Sequence, residues 1–185
     1  MPIHVDASLP LHPLTVTDLE KMLLAGILDE DDHVELLDGV LVEMSPQGSP
    51  HAYAIRRLNT IAGPVVAAAG LELSIQAPLD VGSPISLPEP DVAIVPVTER
   101  DRHPSGAVLV VEMGITSLSI DLVRKARIYA TAGVPDYWVL DVDRRMLVVH
   151  REPADGCYTD VRTLGADETA VVAAVDLAVP VASLL

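Results

Sequence analysis

The sequence predicts an α/β domain, a mixed sheet with helices on its faces. Three observations carry this. Helix-like and strand-like segments are interspersed in the order helix, hairpin, helix, strands, helix, strands, without the strict alternation of a doubly wound fold. The run AVLVVEM at 107–113 is almost continuously apolar, as expected of a central strand buried on both faces. Asp38-Gly39 lies between two β-prone flanks, the signal of a two-residue hairpin turn.

Residues 1–14 are proline-rich and read as an irregular arm, and residues 15–185 read as a single domain. Thr15 to Leu28 predicts a short helix, with Thr17 as N-cap and Glu20 at the capping-box position. His33 to Ser45 predicts the hairpin, in which Leu37 faces Val40 and Glu35 faces Val42. Ser49 to Ala69 is a long helix with Pro50 in its first turn, a weak point at Gly63-Pro64, and Gly70 as its cap. Leu71 to Gln76 alternates as a strand does. After a Pro/Gly/Ser-rich connector, Asp91–Val95 and Ala107–Met113 are the next strands. A helix capped by Ser117 or Ser119 follows and runs to Ala132, with Leu118, Leu122, Val123, Ala126 and Tyr129 as its apolar stripe. Asp136–Val142 and Met146–Arg151 form a second hairpin, and Cys157–Leu164 is a further strand. The last twenty residues hold a strand and a helical turn near Val181.

Composition sets outer limits. Half of the 185 residues are hydrophobic, phenylalanine is absent, and the core is therefore aliphatic. A single cysteine, Cys157, leaves no internal disulfide and suits a reducing compartment. The N-terminus lacks the basic and apolar regions of a signal peptide, and no apolar run is long enough to span a bilayer. The expected location is cytoplasmic, with no membrane association. A net charge of −15 argues against tight non-specific binding of nucleic acid by the whole surface, because phosphate contacts need a basic footprint. The phosphate-binding glycine loops, the nucleophile elbow and the zinc-binding His-Glu-x-x-His motif are all absent.

The chemistry concentrates between Pro88 and Lys125. Asp91 and Glu112 each sit in a Val/Ile-rich strand, where an unpaired charge costs several kcal/mol, order of magnitude. Two such acids on neighbouring strands repel. A divalent cation between them removes both difficulties, and oxygen ligands suit Mg²⁺ or Mn²⁺. Lys125 lies in the following helix. The simpler account places each acid in water at a strand end and makes Asp121–Lys125 a solvated i, i+4 pair. Glu35 is a third acid of interest. His51 and Gln76 are weaker candidates, at the start of a helix and the end of a strand.

These residues resemble the PD-(D/E)XK nuclease superfamily. Within it the chain resembles the restriction endonuclease family once catalogued as a domain of unknown function. The matching pieces are ELLDGVLVEMSP at 35–46, His51, PEPDVAIV at 88–95, VVEM at 110–113, SLSIDLVRK at 117–125 and YATAGVPDYWVLD at 129–141. The resemblance implies a restriction-endonuclease-like core: a mixed central sheet flanked by helices, preceded by the N-terminal helix and hairpin. It implies Asp91 and Glu112, with the Met113 carbonyl, as ligands of Mg²⁺ or Mn²⁺. Lys125 and Glu35 complete the catalytic set, and the implied reaction is metal-dependent hydrolysis of DNA phosphodiester bonds. Two positions depart from pattern. The superfamily places its lysine two residues after the second acid, where this chain has Gly114, and Ile115 occupies a position that often carries an acid or serine. A nuclease fold that binds nucleic acid or protein without cutting is the alternative. A homodimer built on the proline-rich arm and the apolar C-terminal segment is a further expectation.

Overall fold

A computed structural model describes residues 11–29, 31–44, 47–114, 118 and 120–185. Ten strands and three α-helices are defined among them. In chain order these are α1 (Val16–Leu24), β1 (Val34–Leu37), β2 (Val40–Glu43), α2 (Ser49–Ala68), β3 (Leu71–Ile75), β4 (Val92–Pro96) and β5 (Leu109–Gly114). A π-helix (Ile120–Lys125) runs directly into α3 (Ala126–Thr131). Then come β6 (Asp136–Asp141), β7 (Met146–Ala154), β8 (Cys157–Leu164), β9 (Thr169–Val172) and β10 (Leu177–Pro180), with 3₁₀ turns at Ala173–Val175 and Val181–Leu184.

Six strands form one sheet in the order β3-β4-β5-β6-β7-β8. The β5–β6 pair is parallel and every other pair is antiparallel, so the sheet is mixed as expected. All six residues of β5 and of β6 are buried, which confirms their central place. Side chains alternate across β5. Leu109, Val111 and Met113 join an aliphatic core with Leu58 and Val66 of α2 and with β9, β10 and the final turn. Val110 faces the other way, toward Ala126 and Tyr129 of α3. By the same alternation Glu112 lies on the α3 side.

The β1–β2 hairpin has the predicted register, Leu37 opposite Val40 and Glu35 opposite Val42. Asp38 and Gly39 both have positive φ, at 52° and 77°, which is the type I′ requirement. Gly39 is needed twice, because a Cβ there would stand 2.4 Å from Pro13 Cβ. Leu36 of this hairpin pairs with Leu87 and packs with Leu19 of α1, bringing the N-terminal elements against the connector before β4.

Several expectations are corrected. The N-cap of α1 is Thr15, not Thr17, with Asp18 closing the capping box, and the helix ends at Leu24. Asp18 reaches both the Thr15 amide and hydroxyl, at 3.0 and 2.6 Å, so the shorter acid two residues earlier outcompetes Glu20. Helix α2 runs unbroken through Gly63-Pro64, its buried stripe of Ala54, Leu58, Ala62 and Val66 holding it to the sheet. Asp91 precedes β4 rather than opening it. The C-terminal segment forms a β9–β10 hairpin rather than one strand. Its Val179, Val181 and Leu184 are fully buried with the α2 core, so this segment is used within its own chain.

The largest correction lies at 120–125. An α-helical stripe placed Leu122 and Val123 inside, yet they are 37% and 72% exposed, while Asp121 and Lys125 are 2% and 5% exposed. The π-helix closes its hydrogen bonds over i→i+5, one residue further than the α-helix, and so takes one extra residue into the turn. Each residue advances an α-helix by about 100°, so one extra residue turns a different face inward. Ser117, Ser119 and Ile115 lie outside the described residues, as do residues 1–10 of the arm.

Candidate active site

A cavity of about 560 Å³ opens where β1–β2, the N-terminus of α2, the ends of β3 and β5 and the π-helix meet. Its lining includes Glu35, His51, Gln76, Asp91, Glu112 and Lys125. Every side chain singled out from the sequence is therefore brought to one place.

Asp91 stands at the entry to β4, where Pro90 withholds an amide and keeps the chain extended. One of its oxygens, Oδ2, accepts from the Met113 amide at 2.7 Å and contacts His51 Nε2 at 3.0 Å. The neighbouring strand and helix α2 thus fix this carboxylate from two sides. Glu112, on β5, is 4% exposed. Its Oε1 accepts from Lys125 Nζ at 3.1 Å and from the Tyr129 hydroxyl at 3.0 Å. Lys125 Nζ also lies 2.9 Å from Glu35 Oε2 and 3.9 Å from Asp121 Oδ1. The Asp121–Lys125 pair is therefore a buried ion pair, not the solvated one that its spacing alone allowed.

Gly114 leaves room for the segment that carries Lys125. A Cβ there would meet Leu118 Cδ2 at 2.7 Å and Asp121 Oδ2 at 3.1 Å. Leu118 and, in the π-helix, Asp121 occupy the space that a side chain at 114 would need, and Lys125 follows in the same helix.

Charge is unevenly matched. One buried ammonium is shared by Glu35, Glu112 and Asp121, with Asp91 close by. Burial pulls Lys125 down, but Glu112, Glu35 and Asp121 outweigh it, and the lysine stays protonated with its pKa raised above the ordinary value. Burial pushes Glu112 well above the ordinary carboxylate range, and the attraction of Lys125 does not offset this because Asp121, Asp91 and Glu35 push the same way. Glu89, at the rim, is raised by burial and by Glu35. Burial and the charge of Glu112 both raise the Tyr129 hydroxyl, which therefore remains a donor.

Among the described residues no three His, Cys, Asp or Glu side chains converge as a ready-made metal cage. The donor chemistry nonetheless fits a hard cation. The site is rich in carboxylate oxygen, contains no cysteine, and carries more negative than positive charge in a buried place. Two carboxylates plus a backbone carbonyl need no third acidic side chain.

Three site features were not legible as such. In the sequence Asp121 suits a surface partner of Lys125, Tyr129 suits plain core, and nothing marks Glu89. A tyrosine four residues after a buried lysine is the signal that would have found Tyr129, once the π register is known.

The family profile described as "Putative restriction endonuclease" (Uma2) matches residues 16–182. The chain belongs to this family. Among solved structures it is similar to a protein of Anabaena variabilis described as a putative nuclease belonging to DUF820. That match has a TM-score of 0.70 at 15% identity and covers 93% of this chain and 97% of the other. The likeness shows a shared nuclease-like fold. No curated protein matches the chain. Membership places the chain among nuclease-type proteins, and no helix of the described residues is long and apolar enough to cross a membrane.

Proposed function

We propose that the chain is a divalent-metal-dependent nuclease that hydrolyses DNA phosphodiester bonds. The observation that carries this reading is the buried lysine, held 2.9 Å from Glu35 and 3.1 Å from Glu112, beside an aspartate whose orientation is fixed by the Met113 amide. Asp91, Glu112 and the Met113 carbonyl would hold Mg²⁺ or Mn²⁺. Such an ion supplies a Lewis acid and lowers the pKa of a bound water.

The chain's own residues do the rest. His51 and the Met113 amide hold Asp91 Oδ2, leaving its other oxygen for the cavity. Tyr129 and Lys125 orient Glu112 through Oε1 alone. The protonated Lys125 positions the attacking water or steadies the charge that develops on the phosphate, a role in which one preorganised donor contributes roughly 10²–10³ in rate. Glu35 sets the position of Lys125. Burial excludes bulk water and strengthens each of these interactions.

The net charge of −15 favours a second reading, a binding module of the same fold. One experiment separates them. In about 10 mM Mn²⁺, a site with a dissociation constant of about 1 mM stabilises by roughly 1.4 kcal/mol, a melting shift of a few degrees. Wild type should shift and cleave DNA. Asp91→Ala should melt as a folded protein, lose the shift, and lose cleavage. Equal cleavage by both preparations would defeat the nuclease reading, whereas a shift without cleavage would favour the module.

A further inference from the structure

Among the described residues, two buried side-chain polar atoms have no hydrogen-bond partner, His51 Nδ1 and Gln76 Nε2. Both residues line the cavity, and both bracket Asp91. His51 contacts the Asp91 carboxylate, while the Gln76 amide donates to the Asp91 carbonyl at 3.1 Å. His51 Nε2 donates to that carboxylate, which leaves Nδ1 as the orphan. Gln76 Nε2 is an orphan donor.

The Gln76 backbone adds a second observation. It is left-handed, with φ +49°. Asp38, Arg145, Glu152, Asp155 and Asp176 share such angles, but Asp38, Arg145 and Asp155 sit in hairpin turns, Asp176 lies between β9 and β10, and Glu152 falls where the β7–β8 ladder skips a residue. Gln76 instead closes β3 beside the cavity. Glycine would adopt this conformation without strain, and the backbone bond to Asp91 needs no side chain. A left-handed residue with an unsatisfied buried donor beside a cavity is a candidate for contact with a ligand. The donor is also neutral. An ammonium or guanidinium here would pair with the surrounding carboxylates and compete with a cation, whereas a carboxamide stays available to an anionic oxygen.

We propose that Gln76 is a substrate-contacting residue whose carboxamide N–H donates to an oxygen of the bound phosphodiester. This rests on the nuclease reading and extends it to a residue outside the acid–lysine set. The test uses the full chain, a labelled single-stranded oligonucleotide, and the variants Gln76→Gly and Gln76→Glu. Cleavage is followed in Mg²⁺ and binding in Ca²⁺. Gln76→Gly should melt at or above wild type and respond to Mn²⁺ as wild type does. It should cleave at least about tenfold more slowly, with the loss in kcat, as expected for a donor to developing charge. Gln76→Glu should also weaken binding in Ca²⁺. If both variants bind and cleave at wild-type rates while Asp91→Ala does not cleave, the Gln76 contact is overturned and the nuclease reading stands. If wild type binds without cleaving and Gln76→Glu binds less tightly, the contact stands and the nuclease reading falls. Failure of wild type to bind or cleave removes both.

Discussion

The two faces of the central sheet both bury apolar side chains, but only one of them also buries charge. Toward α2, β5 presents Leu109, Val111 and Met113 to a layer of aliphatic side chains and Trp138. Toward α3, the same strand presents Val110 and Glu112 to Tyr129, Tyr137 and Lys125. Tyr137 donates to the Asp121 carbonyl at 2.9 Å and stacks with Tyr158, so even the aromatic side chains on this face are tied by hydrogen bonds to the π-helix and its surroundings. One face is held by shape alone, which tolerates volume-conserving exchange. The other adds to its smaller apolar cluster a set of paired polar groups, each of which becomes costly when its partner is removed. Stability and chemistry are thus divided between two sides of one strand, one residue apart.

The strongest way to break this contrast is Lys125→Ala. Breaking a buried ion pair costs about 3–5 kcal/mol, because the remaining charge is left uncompensated. Here Glu35, Glu112 and Asp121 all lose their cation. The loss should be full near pH 8 and should shrink toward pH 5 as Glu112, which burial already pushes well above the ordinary carboxylate range, takes up a proton. Denaturant unfolding at the two pH values reads this directly, and cleavage should vanish at both. Leu58→Ala, on the α2 face, should cost a similar or slightly smaller amount, about 2–5 kcal/mol for a fully buried leucine. Its loss should be the same at pH 5 and pH 8. Equal pH dependence in the two variants would erase the distinction between the faces.

The smallest effect concerns Glu112 itself. Its folded-state pKa lies well above the ordinary 4.5, so the folded chain holds this proton more tightly than the unfolded chain. The stability contributed by Glu112 is therefore full below about pH 4.5 and declines as pH rises through the folded value. Melting curves of wild type minus Glu112→Gln should fall with rising pH across that window. A difference that rises instead would mean that Lys125 dominates burial at this carboxylate.

The aliphatic face was readable in advance because its rules are periodic. Alternation along β5 and the 3.6-residue stripe of α2 are local patterns, and the Asp38-Gly39 turn fixed the hairpin register by itself. Asp91, Glu112 and Glu35 stood out because acids interrupt such patterns. Lys125 stood out as the cation that follows the two acids, but its catalytic role came from the resemblance, since its i, i+4 spacing to Asp121 suits a solvated pair equally well. What escaped was the phase of residues 120–125. Leu122 and Val123 satisfy an α-helical stripe, and only the packing of Asp121 against Gly114 and of Lys125 between two acids selects the π register. The wrong N-cap has the same origin on a smaller scale, two competing local pairings decided by which acid reaches back.

The lysine's arrival on a separate helix has a consequence for how the molecule comes into being. Glu35 lies on a hairpin, Asp91 before one strand, Glu112 on another, and Lys125 at the end of the π-helix. No stretch of nascent polypeptide carries both the acids and their cation in working proximity. If the proposed nuclease reading holds, a half-made or misfolded chain would be harmless to any polymer it meets. Reactivity would arise only when the last of these pieces docks, so a measured turnover would report the integrity of the whole fold.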